Sequence, residues 1–158
     1  MSDPFIPRST LAFDPATGEI DHDLVSPYLA HRATGLLHLP RFISKIRKHL
    51  KGELPKSYQR NFCKGFDRFL CLHLGVEPQA VIDAVRDAKD EADLDVRLLA
   101  LFPADVRAAK WNREIVQKGM SEMGREALQQ AKDKMSIGDR ADLCSFADMI
   151  EYDEGRIA

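Results

Sequence analysis

Between Leu36 and Gly52 the chain reads Leu-Leu-His-Leu-Pro-Arg-Phe-Ile-Ser-Lys-Ile-Arg-Lys-His-Leu-Lys-Gly, and this stretch leaves the backbone little choice. Pro40 has no amide hydrogen and a fixed φ, which suits a first helical position. Gly52 suits the residue just past a helix end, so the two frame a helix of about three turns. At about 100° per residue, Phe42, Ile43, Ile46 and Leu50 fall on one side and are expected to face a core. Arg41, Lys45, Arg47, Lys48 and Lys51 are expected on the opposite, wet side. No acid stands between Arg41 and Lys51 to supply the i, i+4 partner that such a face normally carries.

The start of that helix breaks a local rule. A cation at the positive end of a helix macrodipole costs a few tenths of a kcal/mol, yet Arg41 stands there, beside His38 and the unpaired backbone N–H groups. Together these attract an anion, either a carboxylate of the same chain, the commoner arrangement, or an external phosphate or carboxylate ligand. The last helix makes the mirror-image choice: Asp153 and Glu154 occupy a C-terminal end whose dipole disfavours acids, with Arg156 just beyond. The two violations explain each other if Arg41 or Lys45 meets those carboxylates. The expected site is therefore one polar cluster of Arg8, His38, Arg41, Lys45, Asp153, Glu154 and Arg156, with Lys48 on the adjoining basic face.

The remainder of the chain reads as a succession of short helices. Residues 1–35 carry Pro4, Pro7, Pro15 and Pro27 with no sustained periodicity, which predicts an extended lead-in packed on the domain, with a helical turn near Pro27 to Ala33. A short helix over Lys56 to Phe62 is followed by Phe66 to Leu74, stopped by Gly75, and by one opened by Pro78 with Val81, Ile82 and Val85 inside. Asp90 is a cap for a helix carrying Leu94, Leu98, Leu101 and Phe102. Pro103 is expected to end it and to begin the next, whose inner residues are Val106, Trp111 and Ile115. Ser121 caps Glu122 to Met135, and Asp139 is expected to cap the last helix, with Leu143, Phe146, Ala147 and Ile150 inside. No alternating strand and no repeat interrupts the series. The class is all-α: a single compact domain of seven or eight short helices over residues 36–158, with the N-terminal lead-in wrapped on it.

A length of 158 residues suffices for one core without staples. The three cysteines, Cys63, Cys71 and Cys144, form no C-x-x-C pair, so neither a disulfide framework nor a thiolate metal site is indicated, and a reducing cytoplasm is expected. No apolar run approaches the ~20 residues of a membrane span. Charge is unevenly spread. His31 to Arg60 holds eight bases and one acid, while Val76 to the end holds eighteen acids and twelve bases, within a net charge of −2. The halves can neutralise each other, or the basic block can face an outside polyanion. A pI of 6.2 favours the former, since a free nucleic-acid surface is usually accompanied by a high pI.

Phosphate-loop, dinucleotide, zinc-protease and hydrolase signatures are absent from the sequence, so its motifs point to no particular cofactor and no metal site is expected. Trp111 beside Asn112 is expected as a core anchor.

Pro7-Arg8-Ser9, Leu39-Pro40-Arg41 leading into Lys45-Ile46-Arg47, Tyr58, Leu74-Gly75-Val76 and the terminal Asp153-Glu154-Gly155-Arg156 together resemble a bacterial domain-of-unknown-function family of small proteins. The resemblance implies bacterial origin and transfers no catalytic residue. Function is expected to be that of a binding or interaction module built on the polar cluster, for an anionic ligand or acidic protein surface. Phosphate or nucleic-acid binding through the basic helix, residues 41–51, is the alternative. A small enzyme using His38 with Asp153 or Glu154 as an acid–base pair is the second alternative.

Overall fold

In the computed structural model, which describes residues 20–158, eight helices follow one another: α1 (Leu39–Leu50), α2 (Lys56–Gln59), α3 (Phe66–Leu74), α4 (Pro78–Asp87), α5 (Glu91–Leu101), α6 (Ala108–Val116), α7 (Glu122–Lys134) and α8 (Phe146–Asp153). Extended pairing among the described residues is limited to one antiparallel bridge, Ala30 with Leu37. The domain is all-α. It is built around α1, which packs on α3 and α4, while α4 packs on α5, α3 on α6, and α6 on α8. The common core includes Leu39, Phe42, Ile46, Leu70, Leu94, Leu98, Trp111, Ile115, Leu143 and Met149.

Local chemistry explains most boundaries. Pro40 lies in the first turn of α1, and Gly52 follows its end at φ 70°. Gly75 ends α3 in the left-handed region, φ 69°, which a Cβ would strain. Asp90 and Ser121 cap α5 and α7 by accepting from the backbone N–H of Asp93 and Gly124. Trp111 is buried, and its indole N–H donates to the Leu37 carbonyl at 2.8 Å.

Four expectations are corrected. Leu50 is 42% exposed, because the inward face of α1 ends at Ile46 and the last turn projects past the core. Arg41 and Lys45, expected in water, are each only 6% exposed, since carboxylates inside the fold receive them. Pro103 does not begin a helix. The Asp105 carboxylate accepts from the Arg107 backbone N–H at 3.0 Å, Arg107 takes φ 49°, and α6 starts at Ala108. Asp139 does not cap the last helix: Leu143 is fully buried from an irregular segment, and Ser145 caps α8 by accepting from the Asp148 N–H. Around Pro27 to Ala33 the chain forms turns, with a loop closed by the His31 N–H on the Leu36 carbonyl. Arg8 and the first part of the expected lead-in lie outside the described residues.

Candidate functional site

Two buried carboxylates organise the polar interior. Asp67 is in the first turn of α3, on the same side as Leu70, Cys71 and Leu74, so the helix that buries those side chains buries the acid as well. It is fully inaccessible. Its Oδ1 lies 2.7 Å from His38 Nε2, and its Oδ2 accepts from Lys45 Nζ at 2.7 Å and from the Cys63 backbone N–H at 3.0 Å. Burial alone would raise its pKa. The Lys45 ammonium and the hydrogen bond from His38 outweigh that and hold the carboxyl down at about 2.

His38 precedes α1 with φ 72°, packs edge-on to Phe66 at 5.4 Å, and is buried. Burial holds its pKa below the usual histidine value despite Asp67. With Asp67 ionised, the hydrogen-bond network assigns the proton of the neutral ring to Nε2. Nδ1 then carries a lone pair, and it is buried without a protein partner.

The second carboxylate is Glu154, the residue that closes α8. Arg41 approaches it in a two-pronged fork, Nη1 to Oε1 at 2.8 Å and Nη2 to Oε2 at 2.7 Å, a geometry matched to the planar guanidinium. The Tyr58 hydroxyl donates to Oε2 at 3.0 Å and Arg156 to Oε1 at 2.8 Å. Arg41 also donates to the Val25 carbonyl at 3.0 Å. Burial would raise the Glu154 pKa, but Arg41 and Arg156 lower it on balance. The Tyr58 hydroxyl is pushed well up by burial and by the carboxylate beside it, so it stays a donor. It also accepts from the Asp21 backbone N–H at 3.2 Å, which ties the start of the described chain to its end.

Of the residues expected together, the fold joins Arg41, Glu154 and Arg156 directly. Lys45 and His38 belong to the neighbouring Asp67 group. His38 is therefore paired with Asp67, and not with Asp153 or Glu154 as the acid–base alternative requires. Asp153 ends α8 one residue before the acid that reaches Arg41. Lys48 points elsewhere, to Asp23 at 2.8 Å and Asp21 at 3.7 Å, and Arg47 pairs with Glu91. Sequence reasoning missed Asp67. A signal was available, because an acid in helical register with Leu70, Cys71 and Leu74 is an acid on a core face, and such a group requires an interior cation. Chemically the arrangement neutralises charge within the fold: Arg41 and Lys45 meet their carboxylates out of solvent, and Arg156 reaches Glu154 from the surface.

The family model for a domain of unknown function (DUF5069) matches residues 21–156, almost the whole described chain. The chain belongs to this family. The matched segment of DUF5069 begins at Asp21 and ends at Arg156, so both carboxylate groups and their cations lie inside it. No curated protein and no solved structure is matched significantly by the chain. Among the described residues, no helix is long and apolar enough to cross a membrane, and no group of three or more His, Cys, Asp and Glu side chains is placed to hold a metal ion.

Proposed function

We propose that this member of the family is a bacterial, cytoplasmic binding protein whose partner is an acidic protein surface or smaller anionic ligand, met by the cations of residues 51–68. The buried cluster is the frame of that surface. Its His38 ring is out of solvent with Nε2 held by Asp67, which gives an acid–base mechanism little support, since a general base must reach the proton it takes. Three unpaired cysteines are compatible with a reducing compartment.

The observation that carries the reading is how the cations divide. Arg41 and Lys45 turn inward, whereas Lys51, Lys56, Lys64 and Arg68 are exposed, and the exposed acid in that span is Glu53. The stretch lies along the C-terminal half of α1, with the His49 ring 4.5 Å from that of Phe62 and Lys45 on Asp67. A local surplus of one sign on a near-neutral protein steers anions, in a salt-dependent way.

Titration with poly-aspartate and, separately, with a single-stranded oligonucleotide at rising salt tests this. Poly-aspartate is expected to bind, to weaken as salt rises, and to be lost in Lys56→Glu/Lys64→Glu at unchanged Tm. No poly-aspartate binding at low salt overturns the reading. Oligonucleotide binding with a log–log salt slope of about −3, and none to poly-aspartate, transfers the surface to nucleic acid.

A further inference from the structure

Helix α5 is apolar on two opposite sides. Leu94 and Leu98 face the core. On the far side Ala92, Val96, Leu99 and Ala100 follow the spacing i, i+4, i+7, i+8, and all four are exposed, Val96 by 65% and Leu99 by 52%. At about 100° per residue they share an arc of roughly 100°, and exposed Pro103 and Ala104 lie just beyond the helix end. A helix apolar on both sides is expected between two layers. Here α4 supplies one layer, and the other side is open. The charges along the margins are already matched within the chain: Arg32 pairs with Glu91 and Asp95, Arg47 with Glu91, and Arg97 with Asp93. Two identical faces of this kind approach each other without net repulsion.

We propose that the occupant of this face is a second copy of the chain, with the two α5 helices antiparallel across a two-fold axis. Such an interface is isologous, so it must be self-complementary, and three features meet that demand. Bulky Val96 and Leu99 stand together in the middle of the face, flanked by small Ala92 and Ala100. A pair centred between residues 96 and 99 therefore sets the Val96 of each copy against the Leu99 of the other, with the small alanines toward the flanks of the contact. Exposed Lys89 precedes the helix and exposed Asp105 follows it. Antiparallel pairing brings Lys89 of each copy toward the Asp105 end of the other, whereas parallel pairing stacks like charges. Antiparallel macrodipoles also attract. A contact of one helix about 16 Å long is small, which makes this a weak, concentration-dependent dimer. The pairing is independent of the cationic surface of residues 51–68.

Sedimentation velocity on the full chain from low to high micromolar concentration tests it. The expected result is a monomer–dimer equilibrium whose dissociation constant rises about thirtyfold or more in Val96→Glu or Leu99→Glu, with far-UV circular dichroism and Tm unchanged. Leu72→Glu, at a leucine on α3 that is just as exposed, leaves the equilibrium as it was. Lys89→Glu weakens the dimer, and Lys89→Glu/Asp105→Lys restores it. A chain that is monomeric throughout, leaving the face to another protein or to none, overturns the proposal. So does a dimer indifferent to Val96→Glu, and a charge swap that fails to restore association overturns the antiparallel arrangement.

Discussion

His38 and Cys63 hold left-handed backbone conformations, φ 72° and 62°, which cost a non-glycine residue of order 1–3 kcal/mol. Both are fastened to Asp67, one through its imidazole and the other through its backbone amide. One buried carboxylate thus holds two strained positions, and pH should expose it. His38 is neutral in the fold, with a pKa below the ordinary 6.5. The unfolded chain takes up that proton first, so stability falls as pH drops from about 6.5 toward the folded value. Asp67, at about 2 against the ordinary 3.8, stabilises the fold above about pH 4. That contribution, on the order of 2 kcal/mol, is lost as pH falls from about 4 to 2. Urea unfolding measured across pH should show both descending limbs. His38→Asn, which tolerates the left-handed backbone, should flatten the upper limb without abolishing it, because His31 is also buried with a lowered pKa. Asp67→Asn should make the lower limb shallower without abolishing it, since the lowered pKa of Glu154 contributes to the same limb, and at a large cost in stability. A wild-type curve that is level from about pH 7 to pH 5 would contradict the assignment of a neutral, buried imidazole.

At the scale of elements, the caps show how far local pattern carries. Asp90, Ser121 and Gly75 stand where sequence places them. Near the C-terminus two equivalent signals compete: Asp139 precedes Asp142 by three residues, as Ser145 precedes Asp148. Local propensity does not separate them. The core does, because Leu143 is buried from the intervening turn while Asp142 is engaged by Arg140 at 2.8 Å, so the helix starts after Ser145. Ser145→Ala is therefore expected to cost about 1 kcal/mol and Asp139→Ala less than about 0.5 kcal/mol in urea unfolding. Equal costs would return the cap to Asp139. The second apolar side of α5 was also legible in Val96, Leu99 and the flanking alanines, but it is masked by the stronger inner repeat of Leu94 and Leu98.

For the whole molecule, the decisive contact is Arg41 to Glu154, which joins positions 113 residues apart in the chain. With Tyr58 and Arg156 on the same carboxylate, it fastens α1, α2 and the end of α8 together. Removing one member of a buried ion pair strands the other and typically costs about 3–5 kcal/mol, whereas replacing both by apolar groups costs far less. Arg41→Met and Glu154→Leu are each expected to lower stability by about 3 kcal/mol. The double variant should be less destabilised than the sum, with a coupling of about 2 kcal/mol or more in the cycle. Strict additivity would mean that the cluster is not an energetic unit.

The number of helices, their stops and most of their buried faces are determined by the sequence alone, because periodicity, caps, prolines and glycines act over one or two turns of backbone. The destination of each charge was decided only by the tertiary structure. Sequence marked Arg41 and Glu154 as misplaced at their own helix ends, but it also put Lys45 in water and paired His38 with the wrong acid. A hydrogen-bonded ion pair depends on a few ångströms of approach between segments far apart in the chain, and that separation is set by how the helices pack.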